Sequence, residues 1–199
     1  SDRMAEQGLY SDGVKGIRRL TTPELRVKDQ DIDGVKAEVL YGVLGASGRL
    51  DDDEASTEML RIYNEWLADF CEGYEDRFAG LASIPSHSVD DAVKEIERVA
   101  KRGKLKGIEV ANSHEMAPLF DPSWEPLWAL AEESRLPVHY HTIGPRIDYD
   151  FEALAPLQRR QAFVVHITGF QLAMSKILME LLYGGVLESH PQMKVVIGE

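Results

Sequence analysis

The chain has 199 residues, 44% of them hydrophobic, enough for one domain or most of one around a real core. Its formal charge of −12, from 22 basic and 34 acidic residues, speaks against nucleic acid and anionic membrane surfaces as partners. No uninterrupted apolar run reaches the roughly 18 residues of a membrane helix, and no basic-then-apolar leader opens the chain.

Residues 1–28 carry little periodicity and several breakers (Gly8, Gly13, Gly16, Pro23), so they read as an N-terminal arm or loop, with the folded domain over 29–199. Ala37 to Leu44 reads as a strand. The acidic run Asp51–Glu54 suits a helix start, where negative charge meets the positive end of the dipole. The helix it opens is expected over Asp53 to Tyr74, with Met59, Tyr63, Trp66, Leu67, Phe70 and Tyr74 at helical spacing. Cys71 lies on that stripe as a small buried hydrophobe. As the only cysteine it permits no intrachain disulfide, which fits a reducing, cytoplasmic compartment.

Phe78 to Pro85 reads as a second strand, and Val89 to Arg102 as an amphipathic helix stopped by Gly103. Leu105 to Ala111 is a third strand. Asp121-Pro122 is an N-cap followed by proline at the first helical position, opening a helix with Trp124, Leu127, Trp128 and Ala131 on its apolar face. Leu136 to His141 is a fourth strand, about Leu172 to Leu182 an apolar helix, and Lys194 to Glu199 a fifth strand. Short buried strands alternating with helices mean parallel β/α units. Both an open doubly wound sheet and a (β/α)8 TIM-type barrel fit that order. The glycine-rich nucleotide fingerprints of the open sheet are absent, and most strands end in chemically able residues, as barrel strands do. A barrel needs about 250 residues, so the expected fold is α/β, a partial barrel of parallel strands.

Candidate chemistry gathers at strand ends. His139 and His141 flank Tyr140, and residues two apart on a strand share a face, so both imidazoles are expected to point into the barrel while Val138 and Tyr140 pack outward. Imidazole is the commonest zinc ligand, and His141, nearer the strand end, is the better candidate; the competing reading is a pair of hydrogen-bonded core histidines. Glu199 closes an apolar strand, where a carboxylate is costly unless paired or bound to a metal. It could be ligand, base or anchor, against the simpler reading of an exposed terminus. His87 and His114 follow the second and third strands and could touch substrate, His166 could hang over the site, and Arg146, beside Asp148, could clamp a substrate carboxylate. His190, before Pro191, belongs at the opposite end as a structural residue.

The segments D-G-V-K-A-E-V-L-Y (33–41), R-F-A-G-L-A-S-I-P (77–85), P-L-F-D-P-S-W-E-P-L-W (118–128), L-P-V-H-Y-H (136–141) and G-G-V-L-E-S-H-P-Q-M-K-V-V-I-G-E (184–199) together resemble the amidohydrolase-related family that includes aminocarboxymuconate-semialdehyde and γ-resorcylate decarboxylases. The resemblance implies a (β/α)8 barrel with one divalent metal ion, often zinc, and places this chain at strands two to six. It matches His141 to the fifth-strand metal ligand and Glu199 to the sixth-strand catalytic position, which is histidine in the decarboxylases. It puts a first-strand H-x-H pair before Ser1 and a last-strand aspartate beyond Glu199. The implied activity is metal-dependent hydrolysis or non-oxidative decarboxylation of a small carboxylated or cyclic substrate by metal-activated water. The expected roles are Glu199 and His139 catalytic, His141 on the metal, and His114, Arg146 and His166 at the substrate. A homo-oligomer is expected. The alternative is a non-catalytic barrel module without a complete metal site.

Overall fold

The computed structural model describes residues 22–43, 50–110, 116–141 and 150–198. Glu199, His114, Arg146 and Asp148 lie outside them.

Helix α1 (Pro23–Asp33) starts on Thr22, whose side chain accepts from the Leu25 N–H, and stops at Gly34 in the left-handed region, φ 71°. The arm expected through Lys28 is therefore helical from Pro23, and α1 runs across the 28/29 boundary. Its polar composition hid it: only Gln30 is buried, and ion pairs hold it, Arg26 to Glu38 and Arg77 to Asp31. Strand β1 (Glu38–Leu40) leads to α2 (Asp53–Cys71), capped by Asp52, which accepts from Ala55 N–H. The buried residues of α2 are Ser56, Leu60, Asn64, Leu67, Ala68, Phe70 and Cys71, which includes Leu67 and Phe70 of the expected stripe, while Trp66 is exposed. Cys71 is buried as expected, and burial raises its thiol pKa.

Strand β2 (Phe78–Ile84) precedes α3 (Val89–Arg102), whose ends match the sequence reading: Ser88 caps its start and Gly103, φ 68°, its end. After β3 (Gly107–Val110), the Asp121-Pro122 signal opens a 3-10 turn (Pro122–Trp124) that passes into α4 (Glu125–Glu133). Strand β4 (Val138–His141) is followed by α5 (Pro156–Tyr183), a short α6 (Val186–Ser189) and β5 (Val195–Gly198).

The five strands form one parallel sheet in sequence order, β1-β2-β3-β4-β5. Flat, its edge strands would lie about 19 Å apart, four spacings of about 4.8 Å. Instead Tyr41, just beyond β1, hydrogen-bonds His139 on β4, and its hydroxyl occupies the space a Cβ at Gly198 on β5 would need, 2.6 Å away. The sheet is a strongly curled half-barrel. Its convex face carries the rows Ala82, Ile108, Val138 and Ile84, Val110, Tyr140, all fully buried. They pack with Leu67, Ile96, Leu127, Trp128, Ile177 and Leu181 into one core.

Two elements depart further from expectation. Helix α5 has 28 residues and is long and apolar enough, by length and composition, to cross a membrane, where no membrane-length segment was expected. Core helices of soluble folds meet the same test, and α5 docks Met174, Ile177 and Leu181 on the core. Its N-terminal half leaves Phe163, Val164 and Val165 exposed. Near the end of β2, the Asn64 carboxamide from α2 accepts from Ser83 N–H at 2.8 Å and donates to Ser83 C=O at 2.9 Å. The β1 ladder has already ended at Leu40, opposite Gly80, so Asn64 supplies the pairing a longer β1 would have made. Asn64 also donates to Glu95 at 2.6 Å, and Glu95 pairs with Arg98, joining α2 to α3.

Candidate active site

The concave face carries the polar groups. Ser83, Glu109, His139 and Val196 lie in register across β2 to β5, and His141 lies opposite Gly198 two residues further on. Aligned residues of a parallel ladder share a face, so both histidines face the lumen while Val138 and Tyr140 face the helices. Ser83, Glu109 and His141 sit toward the C-terminal ends of their strands, the end at which barrel enzymes build their sites, with His139 one layer deeper.

Glu109 is 1% exposed. Its Oε2 accepts from Gly42 N–H at 2.7 Å. Burial raises its pKa, against the lowering effects of the Gly42 bond and of nearby His141. The strand reading of 105–111 treated Glu109 as an ordinary member. Its signal was the G-I-E-V pattern, which puts a carboxylate between two buried aliphatics on the face opposite theirs.

Tyr41 crosses the lumen from β1. Its hydroxyl lies 3.0 Å from His139 Nδ1. Its ring meets His139 edge-on at a 5.6 Å centroid separation and tilts against His141 at 5.3 Å. Burial raises the Tyr41 pKa, with the Glu109 charge adding to it, and burial lowers that of His139. Neutral forms of all three groups are thus favoured on this wall. Two glycines make the crossing possible. A Cβ at Gly198 would strike the Tyr41 hydroxyl, and one at Gly42 would lie 1.8 Å from Ser83 Oγ. Ser83 Oγ is itself buried without a hydrogen-bond partner among the described residues.

His166 lies within α5 rather than in a loop: the apolar run F-V-V-H-I-T-G is part of a long helix. His87 stays at the same end of the sheet but lies between the starts of α2 and α3, 3.1 Å from Thr57 Oγ1 and near Asp53 and Asp91. His190 is buried at the opposite end between Glu125 and Glu132, as a structural residue would be. A cleft of 460 Å³ lined by Glu132, Arg135, Gln192 and Lys194 also lies at that end and shares no residue with the polar wall.

As metal donors, the wall offers the partly exposed imidazole of His141, with buried His139 and Glu109 beside it. Among the described residues no three His, Cys, Asp or Glu side chains are grouped closely enough to hold an ion by themselves. The donor chemistry, two imidazoles and a carboxylate, is of a kind that suits a divalent ion.

A parallel β/α half-barrel with its polar side chains at the strand C-termini is the class this geometry defines. A family model described as Amidohydrolase matches residues 13–199, and the chain belongs to that family. The γ-resorcylate decarboxylase of Rhodococcus jostii is 24% identical over an alignment of 201 positions that covers 96% of this chain and 59% of that enzyme. Among solved structures, 5-carboxyvanillate decarboxylase from Sphingomonas paucimobilis aligns with a TM-score of 0.72 and 24% identity over 94% of this chain and 53% of its own. A dihydroxybenzoic acid decarboxylase from Polaromonas, with bound manganese and the inhibitor 2-nitroresorcinol, aligns at 0.71 and 21% identity over 98% and 60%. These alignments show the barrel fold. The chain spans a little over half the length of each of these relatives.

Proposed function

We propose that the protein carrying this chain is a metal-dependent non-oxidative decarboxylase of small aromatic or unsaturated carboxylic acids. The observation that carries the reading is His141, an imidazole at the C-terminal end of β4 facing the lumen beside a buried carboxylate. The decarboxylase names of the relatives, one of them holding manganese, support decarboxylation over hydrolysis.

In this reading His141 is a ligand of one divalent ion, zinc by imidazole preference, with manganese the competitor to test. The ion supplies Lewis-acid polarisation of a bound oxygen. The rest is proton bookkeeping: the electron pair of the breaking C–C bond stays on the substrate carbon, carbon dioxide leaves, and a proton must reach that carbon. Glu199, which follows Gly198 in sequence, is the proposed donor. His139, its Nδ1 engaged by Tyr41, supports the wall rather than touching substrate. His114 and Arg146 are proposed substrate contacts, Arg146 as a bidentate partner for the carboxylate. A cytoplasmic location is proposed on the single buried thiol, and self-association on the exposed apolar half of α5.

The test is carbon dioxide release from a panel of hydroxylated benzoic acids by the full protein with zinc or manganese. Release that stops on chelation and returns with metal is the expected result. Cleavage of C–N or C–O substrates without any carbon dioxide release would overturn the reading.

A further inference from the structure

Tyr41 belongs to no expected site, yet it touches both lumen histidines. It follows β1 by one residue, 98 positions from His139 in sequence. The backbone holds it from behind: Tyr63 donates its hydroxyl to Tyr41 C=O at 3.4 Å, and the next residue, Gly42, donates to Glu109. From there the ring runs across the lumen until its hydroxyl meets His139 Nδ1 and the space above Gly198.

His139 is held on one edge by Tyr41 at Nδ1, and its other edge lies over Gly107, where a Cβ would stand 3.3 Å from Cδ2. A phenol donates a hydrogen bond better than it accepts one, because its lone pair is shared with the ring. The Tyr41 O–H therefore donates to Nδ1, and the imidazole proton sits on Nε2. His139, 8% exposed, is a fixed post, and the anchored Tyr41 ring lies against His141 at 5.3 Å.

We infer that Tyr41 is a positioning residue: its bond to His139 sets that tautomer and fixes the Tyr41 ring, and the ring sets the orientation in which His141 meets a divalent ion. This rests on the proposed role of His141 as a metal ligand. Groups that orient a ligand from outside the coordination sphere typically change metal affinity about 10- to 100-fold when lost.

The test is Tyr41→Phe in the full protein, which keeps the ring and removes only the hydroxyl. Two quantities are read: the nitrogen NMR signals of His139 in metal-free protein, and the manganese Kd by chelator competition. Wild type should show a single Nε2–H tautomer at His139, and Tyr41→Phe should lose it while binding manganese about 10-fold more weakly. An unchanged tautomer, or an unchanged Kd, in Tyr41→Phe would overturn the inference. Wild-type protein that binds no manganese and no zinc would instead contradict the role of His141, a different failure from a variant that binds as tightly as wild type.

Discussion

Glu109 shows how a single buried group couples the site to stability. Folded and buried, it keeps its proton to higher pH than an ordinary glutamate, whose pKa is 4.5. Above 4.5 the unfolded chain therefore holds fewer protons than the folded one, and stability falls as pH rises toward the folded pKa. Glu109→Gln keeps an acceptor for Gly42 N–H and cannot ionise. Its thermal midpoint should gain on wild type progressively as pH rises above 4.5 and hold a constant offset below it; parallel curves across the whole range would contradict this. Gly42→Ala should destabilise by about 1–3 kcal/mol through overpacking. Ser83→Ala in the same chain should recover part of that, because Ser83 Oγ is the nearest obstacle. Chemical denaturation of the two single variants and the double variant reads the coupling. The sequence showed the histidine pair because period-two alternation marks one face. It did not show Tyr41, whose role depends on a contact across 98 residues and on how far the sheet curls.

Elements were legible in proportion to their local signals. Helix α3 has a serine cap, a clean apolar stripe and a terminal glycine, and its ends were read to the residue. Helix α1 has caps but no apolar face, so periodicity does not reveal it. Strand β1 pairs over only three residues, Glu38 to Leu40. Asn64, which lies off the apolar stripe that marks α2 in the sequence, supplies pairing beyond that ladder. Asn64→Leu would leave Ser83 N–H and C=O without their partner and Glu95 with Arg98 alone. It should cost about 2–4 kcal/mol, at about 1–3 kcal/mol for a stranded buried group. A loss below about 0.5 kcal/mol in denaturant would mean that water or a neighbour replaces the carboxamide.

At the scale of the whole molecule, the half-barrel concentrates its polar groups on one concave wall and its core on the convex side. Strands β1 and β5 are the edges of the described sheet, and an unpaired edge invites pairing with another chain. The apolar residues exposed along α5 add to that tendency. Expressed as these 199 residues, the chain should sediment as a concentration-dependent oligomer; a single monomeric species across concentrations would contradict it. The fold class was readable because β/α alternation needs no partner to be seen. The complete site was not, since no group of three donors stands together among the described residues.

The central claim is that this wall holds a divalent ion through His141. Elemental analysis of the full protein after exhaustive dialysis, wild type beside His141→Ala, tests it directly. Near-stoichiometric zinc or manganese in wild type, lost in His141→Ala, is the predicted result. Only trace metal in wild type, or equal metal in both, would contradict it.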